Sequence, residues 1–284
     1  METRLIKKIG VILRPSTPEL KQSFFKLQEI FISNNIEVYI DSLSGGMIDV
    51  MGMDFELLCK QCDALVTLGG DGTLISAVRR SFEYKIPIFG VYAGTLGFLA
   101  DVSMDELDLF AKKLATGDYR IDKRAVLEAI FIKNNEEIKV NAFNDVVFTR
   151  PSISNMIHVE TSVDDKAFNT YYGDGVIVST PTGSTAYNLS AGGPVLFPLT
   201  NVFTLTPISP HSLTQRPVVL PGEFSIEMKT SDSKALIIVD GQDMYEFEKG
   251  DSIHIKLSTN CAQLIHRNEF NYFDVLKEKL SWGE

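Results

Sequence analysis

The chain has 284 residues, of which 44% are hydrophobic and 23% are charged, and its formal net charge at pH 7 is -10. These proportions are typical of a globular protein with one large domain or two ordinary domains. The negative charge argues against nucleic acid or an anionic membrane as a partner. The N-terminus lacks the apolar block of a signal peptide, there is no run of about 18 apolar residues, and three cysteines are too few for a disulfide framework. We therefore expect a cytoplasmic protein with no membrane partner.

Predicted strands and helices alternate in the first third of the chain. Helices are predicted after a capping box at 16–19, at 54–60, after a loop at 69–73, and after a second capping box at 103–106. Strands are predicted at 9–13, 36–40, 63–68 and 86–92. This alternation predicts a parallel sheet, in which ligands bind at the carboxyl ends of the strands.

A glycine-rich loop follows the third predicted strand, at the edge where ligands are expected. Gly69, Gly70 and Gly72 carry no Cβ atom that would keep a ligand from the main chain, and they permit backbone angles closed to other residues. Thr73 is predicted to cap the next helix, whose N-terminal N–H groups and dipole would then face the loop. The sequence therefore predicts an anion site, most simply for phosphate.

Asp71 is the one charged residue of this loop, and its charge has the wrong sign for binding phosphate. We expect it either to accept a proton from a hydroxyl group or to hold a metal ion that holds the phosphate. The alternative is a tight strand-to-helix turn with an exposed Asp and no ligand. A second glycine-rich turn at 93–99 follows the fourth predicted strand and is expected to form the neighbouring lip of the site.

Cys59 and Cys62 have the spacing of a redox pair or of half a zinc site. No second cysteine pair follows, and the nearest histidine is nearly a hundred residues away. We therefore interpret the two cysteines as structural.

Helical periodicity is largely lost beyond residue 123. Extended segments are predicted at 126–133, 138–150, 156–163, 177–178, 224–229, 235–239 and 253–257, with a turn at 134–135 and hairpin turns at 231–233 and 249–251. The pattern at 272–280 is amphipathic and predicts a helix that packs on the first domain. We therefore predict an α/β nucleotide-binding domain at residues 1–123 plus 262–284 and a β-rich domain at 124–261.

Residues 172–194 are unusually rich in hydroxyl-bearing residues and glycines, and they include a second Gly-Asp-Gly at 173–175. Such a segment makes a poor core and a good surface for a ribose, an amide and a stacked ring. The alternative is a series of ordinary turns, which the same residue types also make.

Several short motifs together resemble those of the NAD kinase family. They are Leu68-Gly69-Gly70-Asp71-Gly72-Thr73, Leu96-Gly97-Phe98-Leu99, Asn144-Asp145, Gly173-Asp174-Gly175 through Tyr187, Pro210-His211-Ser212-Leu213 with Arg216-Pro217, and Val239-Asp240-Gly241-Gln242. The segment 179–187 is strongly specific, whereas lipid kinases and phosphofructokinases also resemble the Gly-Gly-Asp-Gly-Thr motif. One departure is Tyr92, where many members have Asn.

The resemblance implies an α/β domain with a parallel, Rossmann-like sheet, an all-β, sandwich-like domain, and a C-terminal segment that returns to the first domain. It implies transfer of the γ-phosphoryl group of ATP, or of polyphosphate in some bacterial members, to the 2′-hydroxyl of the adenosine ribose of NAD, which gives NADP. The family requires a divalent metal, Mg²⁺ or Mn²⁺, and members are commonly homodimers or homotetramers. We expect the oligomer contacts mainly in the β-rich domain, whose open sheet edges need covering.

The resemblance also implies roles for individual residues. Asp71 matches the catalytic proton acceptor, and the donor phosphates would lie on Gly69, Gly70, Gly72 and Thr73. The implied NAD-binding residues are Asp71, Gly72, Asn144, Asp145, Asn155, Tyr172, Asp174, Thr185, Ala186, Tyr187, Asn188, Leu189, Ser190 and Gln242. The carboxylate of Asp145 suits a ribose diol, and Asn144 can both donate to and accept from adenine. Because Asp71 and Asp145 are predicted in different domains, we expect a single NAD in the cleft between the domains.

Two other classes of protein stay open at this point. A lipid or sugar kinase would use the same phosphate loop but would not need the cluster at 180–187. A catalytically silent regulator would bind NAD without turnover. The choice between ATP and polyphosphate as donor, and the identity of the metal ligands, also stay open.

Overall fold

The structure, a computed structural model, describes residues 4–92, 97–152 and 155–282. The chain divides into two compact units, Met1–Lys123 with Ala262–Glu284, and Arg124–Cys261. Across the described ranges, none of the helices is both long enough and apolar enough to cross a membrane.

Nineteen strands and seven α-helices lie in the described residues. The strands are β1 (Lys8–Leu13), β2 (Glu37–Ile40), β3 (Ala64–Gly69), β4 (Ile88–Tyr92), β5 (Val102–Ser103), β6 (Arg120–Arg124), β7 (Leu127–Lys133), β8 (Glu136–Ala142), β9 (Asp145–Thr149), β10 (Ile157–Val163), β11 (Lys166–Gly173), β12 (Gly175–Ser179), β13 (Val202–Ile208), β14 (Val218–Pro221), β15 (Ser225–Thr230), β16 (Lys234–Val239), β17 (Asp243–Glu248), β18 (Ser252–Leu257) and β19 (Ala262–His266). The helices are α1 (Lys21–Ser33), α2 (Ser42–Met47), α3 (Phe55–Gln61), α4 (Asp71–Ser81), α5 (Leu107–Thr116), α6 (Tyr187–Ser190) and α7 (Tyr272–Leu280).

The first unit contains a seven-stranded sheet in the order β2-β1-β3-β4-β19-β6, with β5 beside β4. β1 pairs in parallel with β2 and β3, and β4 pairs in parallel with β3, β5 and β19. Every residue of β3 is buried, as expected for a strand covered on both faces. The predicted parallel sheet and the predicted return of the C-terminal segment are confirmed, and the four predicted strands match β1 to β4 to within two residues.

The two predicted capping boxes have different outcomes. At the start of α5, the hydroxyl of Ser103 accepts from the N–H of Glu106 at 3.2 Å, and the Glu106 carboxylate accepts from the N–H of Ser103 at 3.2 Å, which confirms that box. The box at 16–19 is wrong. Ser16 has a left-handed φ of 54°, and the Thr17 hydroxyl donates to the carbonyl of Pro15 at 3.0 Å instead of capping a helix. A 3₁₀ turn follows, and α1 begins only after it.

The second unit contains two six-stranded antiparallel sheets, in the orders β11-β10-β15-β18-β7-β8 and β14-β13-β12-β9-β16-β17. One hydrophobic core receives side chains from both sheets, among them Phe131 and Ile253 from one and Phe148 and Phe203 from the other. The predicted sandwich-like all-β fold is therefore confirmed.

Two predicted hairpin turns are wrong, although the flanking strands exist. The turn at 231–233 joins β15 to β16, and the turn at 249–251 joins β17 to β18, and in both cases the two strands lie in different sheets. Similarly, the extended run predicted at 138–150 is two strands, β8 and β9, which also lie in different sheets. Turn residues mark where a chain reverses, but they do not determine which strand becomes the hydrogen-bonded neighbour.

Candidate active site

The glycine-rich loop of the first unit connects β3 directly to α4. Thr73 does not cap the helix as predicted, because α4 begins two residues earlier, at Asp71, with Gly70 as its N-cap residue. The backbone freedom of glycine is not used here, since Gly69, Gly70 and Gly72 all lie outside the positive-φ region. Lack of space explains Gly69 alone, since a Cβ at this position would lie 2.5 Å from the hydroxyl oxygen of the buried Thr73.

Two exposed glycines lie at the N-terminus of α4. Gly70 and Gly72 are exposed, and a Cβ on either would meet no atom within 4 Å. The N-terminal N–H groups and the dipole of an 11-residue helix favour an anion at this position. The binding of phosphate at this loop stays a prediction.

The carboxylate of Asp71 is held by main-chain donors from another segment. Oδ1 accepts from the N–H groups of Leu99 and Ala100, both at 3.1 Å, and Oδ2 accepts from the N–H of Phe98 at 2.8 Å. A carboxylate offers about four acceptor positions, so among the described residues one position, on Oδ2, stays open for a further donor. Asp71 is therefore fixed in orientation and still able to receive a proton.

Gly97 is what allows this segment to approach Asp71. A Cβ on Gly97 would lie 2.0 Å from Oδ1 of Asp71, which is far shorter than any real contact. Residues 97–99 belong to the second glycine-rich turn, and they do lie against the first, as predicted. Residues 93–96 of that turn lie outside the described residues.

A pocket of about 410 Å³ lies in the second unit, where β9, β16 and the start of α6 meet. Four of the predicted NAD-binding residues line it, namely Asn144, Asp145, Ala186 and Tyr187. The remaining lining residues are Val147, Thr149, Ile238, Asp240 and Gly241. The pocket thus has an apolar wall, a polar end and one exposed aromatic ring.

The polar end of this pocket contains two features suited to a ligand. The side-chain oxygen of Asn144 is buried and has no hydrogen-bond partner among the described residues, so it is available to a donor. Burial and the neighbouring carboxylate of Asp240 raise the pKa of Asp145 to about 7. Asp145 can therefore change its charge near neutral pH, which ordinary exposed Asp residues do not do.

The hydroxyl groups of the segment before α6 mostly serve the fold. The Thr180 hydroxyl donates to the carbonyl of Phe143 at 2.7 Å, and the Ser184 hydroxyl donates to the carbonyl of Pro181 at 2.7 Å. Thr180 and Ser184 are fully buried. The expectation that these hydroxyls form a ligand surface is therefore wrong for both of them, and the turn interpretation applies there.

The side-chain amide of Asn188 also serves the fold, so it is not available to NAD. Its amide is fully buried, donates to the carbonyls of Ser184 and Pro194, and accepts from the hydroxyls of Thr204 and Thr206 at 3.0 and 2.7 Å. All four hydrogen-bonding positions of the side chain are thus used inside the protein. Its neighbours in the predicted set are partly buried at Thr185 and Leu189 and exposed at Ser190.

The remaining predicted NAD-binding residues do not line this pocket. Asp174 forms an ion pair of 3.0 Å with Arg150, and Tyr172 stacks on His158 with ring centroids 4.3 Å apart. Asn155 is exposed beside residues that lie outside the described ranges, and Gln242 is exposed at the turn between β16 and β17. The stacking of Tyr172 on a histidine could not be foreseen, because His158 lies on the neighbouring strand of the sheet.

Neither the acidic residues nor the cysteines of the described ranges form a metal site built from protein ligands. No group of three or more His, Cys, Asp or Glu side chains that could hold a metal occurs there. Cys59 and Cys62 are buried, and burial raises the pKa of their thiols to about 11 and about 12, so both stay protonated at neutral pH. The interpretation of the two cysteines as structural agrees with this.

Comparisons with known proteins match both units. A model described as the ATP-NAD kinase N-terminal domain matches residues 9–119, and one described as the ATP-NAD kinase C-terminal domain matches residues 143–267. An NAD kinase of Sulfurimonas denitrificans is 66% identical over 284 residues, which are 100% of each chain.

Two solved structures resemble the chain over almost its whole length. An NAD kinase from Archaeoglobus fulgidus in complex with ATP has a TM-score of 0.78 and 25% identity, covering 96% of this chain and 98% of its own. Yeast NADH kinase complexed with NADH has a TM-score of 0.89 and 24% identity, covering 99% of this chain and 89% of its own, and shows the likeness of fold. The domain matches and the full-length relative show that this chain belongs to the NAD kinase family.

Proposed function

We propose that this chain transfers the γ-phosphoryl group of ATP to the 2′-hydroxyl of the adenosine ribose of NAD and so forms NADP. Membership of the NAD kinase family supports this reaction, and the relative from Archaeoglobus fulgidus was crystallised with ATP. The observation that carries the proposal is the Asp71 carboxylate, which is fixed at the N-terminus of α4 and keeps an acceptor position on Oδ2.

In the proposed reaction, the 2′-hydroxyl gives its proton to Oδ2 of Asp71 while its oxygen attacks the γ-phosphorus. A new P–O bond forms at the 2′ position, the bond from the γ-phosphorus to the β–γ bridging oxygen breaks, and ADP leaves. A carboxylate in this role contributes a rate factor of about 10²–10⁴. The three N–H donors that orient Asp71 spare it reorganisation during the reaction.

The exposed N-terminus of α4 supports the donor-phosphate site. Gly70 and Gly72 leave room for phosphate oxygens at the main chain, and the helix dipole lowers the energy of negative charge there. The NAD kinase family uses a divalent metal, and we propose Mg²⁺ or Mn²⁺, because both accept phosphate oxygens and water as ligands. The described side chains do not form a metal site by themselves.

We propose that the 410 Å³ pocket of the second unit binds the adenosine part of NAD. The buried oxygen of Asn144 suits the amino group of adenine, the Asp145 carboxyl suits ribose hydroxyls, and the exposed ring of Tyr187 can stack on a base. The expectation that one NAD contacts both Asp71 and Asp145 stays a prediction, as do the cytoplasmic location and the homo-oligomeric state.

The test is the variant Asp71→Asn, which keeps the shape of the side chain and cannot take up a proton from the hydroxyl. We expect unchanged folding by circular dichroism, little change in NAD affinity, and loss of more than nine-tenths of NADP formation, given the expected factor of about 10²–10⁴. Asp105→Asn is the matched control, since it removes a carboxylate whose side chain is 96% exposed in the same unit. If Asp71→Asn retained more than about a tenth of the activity, the role of proton acceptor would be wrong.

A screen of phosphoryl acceptors with the wild-type protein separates NAD kinase activity from lipid or sugar kinase activity. A screen of NAD, sugars and lipid alcohols as acceptors with labelled ATP should label NAD alone. Labelling of a sugar or lipid in place of NAD would contradict the proposed function.

A further inference from the structure

Asp240 links the turn between β16 and β17 to the segment 143–145. Its carboxylate accepts three consecutive main-chain N–H groups, from Phe143 at 2.8 Å, Asn144 at 2.7 Å and Asp145 at 2.9 Å. Its own N–H donates to the carbonyl of Asp145 at 3.0 Å. Asp240 has a left-handed φ of 51°, a conformation that Asp and Asn tolerate better than most residues.

The segment 143–145 needs these acceptors because it is a break between two sheets. β8 ends at Ala142 in one sheet, and β9 begins at Asp145 in the other. The N–H groups at the break are directed to one carboxylate instead of to a neighbouring strand. The conformation of the segment therefore depends on Asp240.

Asp240 also acts on the pocket through its charge. Asp145 is only 5% exposed, and Asp240 is the charged residue whose carboxylate opposes ionisation of Asp145, in addition to the effect of burial. Tyr187 lines the same pocket, and the wall residues Val147 and Ile238 are apolar. Removal of the Asp240 charge would thus favour the charged form of Asp145.

We propose that Asp240 is a positioning residue for NAD binding, which holds Asn144 and Asp145 in the pocket and sets the pH range in which Asp145 binds ribose hydroxyls. The inference rests on the proposed function, because it takes NAD as the occupant of the pocket. The resemblance to the NAD kinase family implies a contact with NAD for Gln242 of the motif Val239-Asp240-Gly241-Gln242, and it implies no role for Asp240.

The experiment is isothermal titration of NAD into wild type, Asp240→Asn and Glu246→Gln at pH 6, 7 and 8. Wild-type affinity should rise with pH by up to about tenfold, since a charged carboxylate makes stronger hydrogen bonds to hydroxyls. Asp240→Asn should bind NAD roughly 10- to 100-fold more weakly at pH 8, because its amide nitrogen cannot accept an N–H. Its affinity should also be nearly constant from pH 6 to 8. Glu246→Gln, which removes an exposed carboxylate on β17, should match wild type.

Two results would overturn the inference. One is wild-type affinity and pH profile in Asp240→Asn. The other is uniformly weaker binding with the wild-type pH profile, because a purely structural residue would act that way. If Asp240→Asn does not fold, the pH dependence of NAD affinity is compared between wild type and Asp145→Asn. The affinity should rise with pH in wild type and should not change with pH in Asp145→Asn. A wild-type protein that does not bind NAD at all would instead contradict the proposed function.

Discussion

Replacement of Asp145 by Asn should stabilise the protein at neutral and alkaline pH. In wild type, burial and the nearby Asp240 carboxylate raise the pKa of Asp145 from 3.8 to about 7. A shift of roughly 3 units corresponds to about 4 kcal/mol at 1.36 kcal/mol per unit, which is an upper bound on the cost of ionising Asp145 in the folded state. Asn has nearly the same shape and carries no charge, so the variant avoids this cost.

The sign follows from proton binding in the two states. Between about pH 4 and pH 7, folded Asp145 holds its proton while the unfolded carboxyl has lost it. The free energy of unfolding contributed by this group therefore falls as pH rises through this window, and it is constant above it. The difference between Asp145→Asn and wild type should grow in favour of the variant by up to about 4 kcal/mol from pH 4 to pH 8.

Urea denaturation followed by far-ultraviolet circular dichroism at pH 4, 5, 6, 7 and 8 measures this difference. Asp165→Asn is the control, since Asp165 is exposed in the turn between β10 and β11, and its curve should stay parallel to that of wild type. A difference between Asp145→Asn and wild type that does not vary with pH would refute the reasoning, because Asp145 would then ionise alike in the folded and unfolded chains.

Three further predictions concern the loop, the buried amide and the assembly. Gly97→Ala should lower NADP formation about 10²-fold by displacing the Asp71 carboxylate. Gly46→Ala, whose Cβ meets no atom within 4 Å, should not change it. Wild-type activity in Gly97→Ala would contradict the role of Gly97. Asn188→Ala should destabilise the fold by roughly 3 kcal/mol or more through unpaired buried groups, whereas Tyr187→Ala should weaken NAD binding at nearly unchanged stability, and the reverse pattern would contradict both assignments. Light scattering should show a homodimer or homotetramer, and a stable monomer at micromolar concentration would be evidence against the predicted assembly.

The parts of the site that could be predicted from the sequence depend on local patterns. The passage from β3 through the glycines into α4 is contained in a few consecutive residues, and so is the capping box at Ser103 and Glu106. An apolar run, a glycine cluster and a hydroxyl followed by a carboxylate each specify local backbone geometry. For this reason the strands of the first unit and the passage from β3 through the glycines into α4 were foreseen.

The parts that were missed depend on contacts between distant positions. Asp71 is bound by N–H groups 27 to 29 residues further along the chain, and Asp240 binds N–H groups 95 to 97 residues before it. No local pattern encodes such partners. A usable signal for Asp240 did exist, since Asp-Gly between two β-rich runs is typical of a hairpin turn. The side chain of Asn188 is fully buried, and the position of this residue in a ligand motif did not indicate that its amide faces inward.

The most direct test of the central claim is NADP formation by the purified wild-type protein with NAD and a divalent metal, with ATP and polyphosphate supplied side by side. We predict that NADP accumulates with ATP and that its new phosphate is on the 2′-hydroxyl of the adenosine ribose. Formation with polyphosphate as well would widen the choice of donor. Tight binding of NAD without NADP from either donor would contradict the account and would identify the chain as a catalytically silent nucleotide-binding protein.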